Sequence, residues 1–182
     1  MMVALGDQVE RGSGPTESEH GSTEATSRVR EAAAARGLEI EVSESPRASS
    51  LEEAAVLRGI TPADIVKSLV VKRHGRDEYL FALIPGDRSI SWPKLRALLG
   101  ANKLRLPEAD LALAATGYER GTITPLGSTT DWPVYADERI LGRRVSMGAG
   151  AHGWNLTVDA DALVAAYGAT VADISEPIDA IR

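Results

Sequence analysis

The stretch Ile65-Val66-Lys67-Ser68-Leu69-Val70-Val71 decides how this chain folds. Aliphatic and β-branched residues dominate it, the composition of a strand buried on at least one face. Lys67 is the exception, because an ammonium in such a strand is costly unless a partner meets it. Either its stem lies along the sheet while the head reaches water, or it faces a pocket that offers an anion or a carbonyl. These residues alone leave both readings open.

Working outward, His74-Gly75-Arg76-Asp77 predicts a hairpin turn into a second strand, Tyr79 to Ile84, which Pro85-Gly86-Asp87 breaks. Upstream, Ser27 to Arg36 reads as a helix closed by Gly37. Leu38 to Val42 alternates as a half-buried strand. Ser50-Leu51-Glu52-Glu53 has capping-box spacing for a helix ending near Gly59, and Thr61-Pro62 starts one short turn. Downstream, Ser91-Trp92-Pro93 opens a helix that stops at Gly100, Lys103 to Leu106 is a short strand, and Pro107 begins a helix ending near Gly117. Val134 to Ala136, Arg144 to Met147 and Trp154 to Val158 are further strands, and Asp137-Glu138 reads as a strand end or helix start. Asp159 caps a helix closed by Gly168, and Thr170 to Ile174 is the last strand. Strands joined by tight turns sit beside strands separated by helices, so the chain is α+β with a mixed sheet.

Composition narrows the function classes. The 182 residues suit one domain with a proper core. The absence of cysteine excludes disulfides and thiolate chemistry and suits the cytoplasm. No stretch approaches the roughly 18 apolar residues of a membrane span, and no secretory signal pattern opens the chain. Residues 1–21 are poor in large apolar side chains and are expected to form a disordered tail, leaving 22–182 as the domain. A net charge of −6 argues against a general nucleic-acid binder. Residues 66–105 carry nine basic side chains against three acidic ones, so that segment is +6 and the rest −12. Such a face suits limited phosphate contact, though solvated surface charges would count the same.

Two loops could carry chemistry. Gly121-Thr122-Ile123-Thr124-Pro125-Leu126-Gly127 can aim backbone N–H groups at a carbonyl or phosphate, or it can simply connect elements. Gly148-Ala149-Gly150-Ala151-His152-Gly153 lies between two strands and lacks the lysine and hydroxyl of a P-loop. His152 is placed to bind a substrate oxygen or to face solvent. The three histidines lack metal-ligand spacing, and no Gly-x-Ser-x-Gly elbow occurs. Neither a protein nucleophile, a general base nor a metal is evident, so any hydrolysis would rely on positioned donors and the substrate's own groups.

Together these stretches resemble the YbaK/prolyl-tRNA synthetase-associated domain family of aminoacyl-tRNA editing proteins. The Ile65–Val70 strand is similar to that family's apolar-Lys-(Thr/Ser)-Leu strand. The segment from Thr116-Gly117-Tyr118 through Gly127 resembles its Gly-x-x-x-Pro loop, Leu98 to Leu104 its Leu-Gly-Ala-x-Lys segment, and Gly148 to Asn155 its hairpin. Two departures stand out: His152 replaces an arginine of many free-standing members, and Asn155 replaces an aspartate. Ser68 is closer to the Thr-bearing members than to those with Asn. The resemblance covers about Ser27 to Ile174 and implies a mixed, partly barrel-like sheet surrounded by short helices.

It also implies a cytoplasmic, cofactor-free deacylase of mischarged aminoacyl-tRNA, with tRNA for proline carrying cysteine or alanine as the expected substrate. Prolyl-tRNA synthetase is a further partner it implies; a membrane is not, and the oligomeric state stays open. Lys67 and Gly121 are the expected catalytic positions, with Ser68, Thr122, Ile123, Thr124, Pro125, Gly148, Gly150, His152 and Asn155 contacting substrate. The attacking group would be water or a substrate hydroxyl or thiol. A non-catalytic module binding an RNA end or nucleotide, or docking on a synthetase, would use the same lysine and loops; a small-ester hydrolase is a third reading.

Overall fold

The computed structural model describes residues 17–178. Strands β2 (Val66–Arg73) and β3 (Tyr79–Pro85) form the antiparallel hairpin at its centre, in register from Val66 opposite Pro85 to Lys72 opposite Tyr79. Every residue of β3 is buried. Tyr79, Phe81 and Leu83 enter the larger core; Leu80 and Ile84 enter a smaller one with Val71, Ile90, Leu95 and Ile174. A strand covered on both faces reads as a continuous apolar run, as Tyr79 to Ile84 does.

Strands β6 (Val134–Asp137) and β9 (Thr170–Ala172) extend this sheet in parallel beyond β3. On the other side, β5 (Leu104–Arg105) pairs with β2 only at Lys72 and Arg73. The order is β5-β2-β3-β6-β9, a mixed sheet as expected. A second, antiparallel sheet holds β1 (Ile40–Glu44), β8 (Trp154–Asp159) and β7 (Arg144–Gly148) in the order β1-β8-β7. One parallel bridge, Ile65 to Ser146, joins the two sheets at a corner. Short helices surround them: α2 (Leu51–Arg58), α3 (Trp92–Leu99), α4 (Ala109–Thr116) and α5 (Ala160–Tyr167). Ser50 Oγ accepts from Glu53 N at 3.1 Å at the start of α2, and Asp159 Oδ1 accepts from Ala162 N at 2.8 Å before α5. No helix among the described residues is long and apolar enough to cross a membrane.

Two differences from the sequence expectation have physical causes. Helix α1 runs Glu17–Ala35, so it begins ten residues before Ser27 and includes part of the expected tail; residues 1–16 lie outside the described ones. Thr26 Oγ1 donates back to Ser22 O at 3.0 Å, while Ala25, Val29 and Ala33 pack on the larger core. Tertiary packing therefore holds a turn that carries little apolar pattern of its own. Strands β4 (Arg88–Ile90) and β10 (Ser175–Pro177) went unseen because they pair only with each other, across a long stretch of chain.

The loop from Tyr118 to Gly127 stacks directly on the β7–β8 hairpin. Tyr118 Oη donates to Leu126 O at 2.8 Å, and Gly150 N donates to Thr122 O at 2.9 Å. A Cβ on Gly148 would stand 2.8 Å from the Thr122 carbonyl carbon and oxygen, and one on Gly150 would stand 2.7 Å from Tyr118 Cε1. Both hairpin glycines are needed for this contact between backbones. Gly148→Ala is expected to push the Thr122–Ile123 backbone away at a cost of about 1–3 kcal/mol. A lower urea midpoint at unchanged slope would register it; an unaltered midpoint would contradict the tight stacking.

An ion-pair cluster closes the far side. Asp173 takes Lys94 Nζ and Arg139 Nη1, each at 2.8 Å, and Arg139 also pairs with the fully buried Asp137 at 3.2 Å. Hydrogen bonds from Lys94 and then Arg139 hold the Asp173 carboxyl down to about 2. A depressed folded value means the stabilisation is complete above the unfolded value of about 3.9 and vanishes as pH falls through the folded one. Melting temperatures between pH 5 and pH 2 should therefore show wild type losing its advantage over Asp173→Asn across that window. Parallel curves for the two proteins would contradict the assignment.

Candidate functional site

A cleft of about 570 Å³ opens along the outer edge of β2. Between the Ile65 bridge at one end and the β5 pairing at the other, no strand among the described residues pairs with the Val66–Val71 edge. The facing walls are α2, the Leu106–Pro107 segment, the 118–127 loop and the β7–β8 hairpin. The cleft thus exists because β2 is held at both ends and left open between. An unpaired strand edge presents backbone donors and acceptors, and here they line a cavity instead of bulk solvent.

Lys67, Gly121 and His152, distant in sequence, all line this cleft. Lys67 alternates onto the side of the smaller core, where its ammonium donates to the carbonyl of Arg88. Burial pushes its pKa below the ordinary lysine value, and the negative charge of Asp87 pulls the other way. The head meets a carbonyl, as one of the two sequence readings of Lys67 allows, but that carbonyl belongs to the protein itself. Ser68, on the opposite side, also lines the cleft, and its buried Oγ has no hydrogen-bond partner among the described residues. Ile123 and Gly148 complete the predicted residues found in the wall.

The other five stand behind that wall. Thr122 is buried, with its hydroxyl on Glu119 O at 2.8 Å, and Thr124 Oγ1 accepts from Leu126 N at 3.3 Å. Pro125 is buried in the same loop, and Gly150 faces Tyr118. Asn155 is buried beneath the hairpin, its Nδ2 donating to Ser45 Oγ at 2.6 Å and to Ser43 O at 3.3 Å. These residues shape the loops without lining the cavity, because the two loops spend their inner faces on each other. At the mouth, His152 Nε2 lies 2.9 Å from Glu119 Oε2, and both side chains are largely exposed.

The cations of the cleft are not those the charge count singled out. Within 66–105, Lys72, Arg73 and Arg76 pair with Asp77 or Glu78, Lys94 pairs with Asp173, and Lys67 alone lines this cavity. The others come from elsewhere: Arg47, Arg58 and Arg120 line it, and none forms an ion pair among the described residues. Among the described residues no carboxylate lines the cleft. Sequence reasoning missed these arginines because each reads locally as a surface charge; only the tertiary fold turns them to one cavity. Among the described residues no group of three or more histidines and carboxylates is placed to hold a metal ion. Chemically, the wall offers cations, backbone donors along β2 and around Gly121, and an apolar flank at Leu57, Leu106 and Trp154.

Similarity to known proteins gives the family. A family model for the aminoacyl-tRNA editing domain matches residues 45–166. Proline–tRNA ligase of Bacillus licheniformis is 28% identical over 141 residues, covering 75% of this chain and 23% of that enzyme. The Thermosipho africanus enzyme of the same name is 38% identical over 84 residues, covering 46% of this chain. The chain thus spans only 15–23% of the length of these relatives. A crystal structure of a candidate trans-editing enzyme for prolyl-tRNA synthetase shares 30% identity, with a TM-score of 0.76 over 84% of this chain and 97% of that one. The match spans the cleft from Ser45 through the hairpin and into α5, and by it the chain belongs to the aminoacyl-tRNA editing domain family.

Proposed function

We propose that the protein is an aminoacyl-tRNA deacylase that hydrolyses the ester joining a wrong amino acid to the terminal ribose. The observation that carries this reading is the convergence of Lys67, Gly121 and His152 on one cleft that, among the described residues, four cations line and no carboxylate does. An aminoacyl ester at the end of an RNA is polyanionic on one side and small on the other, and the polyanionic side suits such a cavity.

In the reaction, water attacks the ester carbonyl, either directly, oriented by the neighbouring ribose hydroxyl, or after a side-chain thiol of the substrate has attacked first and formed a cyclic thioester that water then opens. The ribose oxygen leaves and takes a proton, giving free amino acid and uncharged tRNA. Backbone N–H groups around Gly121 orient the carbonyl and meet the charge that develops on its oxygen. The Lys67 ammonium holds the carbonyl end or the terminal phosphate as a point charge, exchanging the Arg88 carbonyl for substrate. His152 meets a substrate oxygen at the mouth. Ser68 forms part of the wall that faces the aminoacyl group. The relatives' names support tRNA for proline as the nucleic acid; a small residue such as cysteine or alanine is, on this reading, the amino acid removed.

Replacing Lys67 by alanine is expected to lower deacylation by about 10²–10³-fold, the scale for loss of one positioned donor. A panel of mischarged tRNAs, followed by release of labelled amino acid, measures it. Near-full activity on the best substrate would refute the role, and binding of tRNA by wild type without any release would favour a non-catalytic module. A melting temperature that falls with activity would reassign Lys67 to holding the β3–β4 turn through Arg88.

A further inference from the structure

Arg58 is the last residue of α2 and stands half buried in the cleft wall. Its Nη1 donates to Ser146 Oγ at 3.0 Å, while its Nε is buried without an acceptor among the described residues. No carboxylate there pairs with it. Ser146 in turn donates to Asn155 Oδ1 at 3.5 Å, and Asn155 is tied to Ser43 and Ser45. A row of neutral side chains on β7, β8 and β1 therefore aims the guanidinium, and no counter-charge consumes it. Burial lowers its pKa from the usual guanidinium value, yet a guanidinium remains charged.

An uncompensated, partly desolvated cation is costly unless a ligand supplies a counter-charge. The planar fork of a guanidinium matches two oxygens of one phosphate or carboxylate. In an aminoacyl ester the amino acid's carboxyl group is esterified, so it brings no carboxylate. The anionic oxygens belong to the phosphodiester one sugar away. We propose that Arg58, oriented by Ser146 and Asn155, grips the phosphodiester next to the terminal nucleoside and so sets how far the acceptor end enters the cleft. This inference rests on the deacylase reading, and it assigns a substrate contact to α2, which none of the sequence motifs touches.

The test pairs two substrates and one binding measurement. Arg58→Met keeps the packing of the stem, and its melting temperature checks the fold. On mischarged tRNA its KM should rise on the order of tenfold, with kcat within about twofold. On the matching 3′-O-aminoacyl-adenosine, which carries no phosphate, its kcat/KM should equal that of wild type. Binding of an uncharged RNA oligonucleotide ending in CCA should lose salt dependence, the log–log slope falling by about 0.7–0.9. Arg58→Lys should restore that slope while recovering only part of KM, because the fork is lost. Equal losses on the two substrates, or an unchanged salt slope, would overturn the assignment. If wild type releases amino acid from neither substrate, the deacylase reading fails by itself, and the slope in the oligonucleotide measurement still decides for or against Arg58.

Discussion

The fold turns on the unequal pairing of one strand. Strand β2 is bonded to β3 along its inner edge, but on the outer edge, among the described residues, it is held only at the adjoining Ile65 and at Lys72–Arg73. Buried β3 makes the inner edge immovable, since both of its faces are committed to core. The outer edge is then free to wall a cavity without risk to the sheet. An open, flat strand edge invites pairing with another chain; here α2, the 106–107 segment and the two loops cover it at a distance that leaves room for a ligand.

The loops facing that edge owe their positions to each other. Gly148 brings the hairpin to within backbone contact of Thr122, and Gly150 does the same against Tyr118, whose ring also lies under the Arg28 guanidinium at 4.6 Å. Helix α1 thereby reaches the site indirectly, through Arg28, Tyr118 and Gly117 O. Loops stacked in this way present fixed backbone groups to the cavity, which is what positioning a carbonyl demands and what a mobile loop would not supply.

The sequence made most of the frame legible. The Tyr79–Ile84 run, the capping serine at Ser50 and the Asp159 cap each announce their elements locally, and each is found within a residue or two of its place. Lys67 was conspicuous because a charge inside an apolar run breaks a local rule. Arg58, Arg47 and Arg120 break none: a cation at a helix end or in a loop is ordinary until the fold shows what it faces. The same holds for β4 and β10, whose three-residue pairing has no local signature. Charge counted along the chain misled for a related reason, since neighbours in sequence such as Lys72 and Asp77, or Arg76 and Glu78, neutralise one another on the β2–β3 hairpin.

The two departures in the hairpin gain a physical meaning from these contacts. Asn155 lies inside the β1–β8–β7 sheet, where all its hydrogen-bond partners are neutral groups: Ser43, Ser45 and Ser146. An aspartate there would bring a buried negative charge within one serine of Arg58 and would draw the guanidinium toward the sheet. With asparagine, the geometry of the row is kept while the cation stays available to the cleft. His152, where an arginine is common, is engaged with Glu119 at the rim, so the hairpin tip adds little net positive charge of its own. Among the described residues, the arginines that line the cleft without an ion pair lie at the end of helix α2 (Arg58) and in loops (Arg47 and Arg120), not at the hairpin tip.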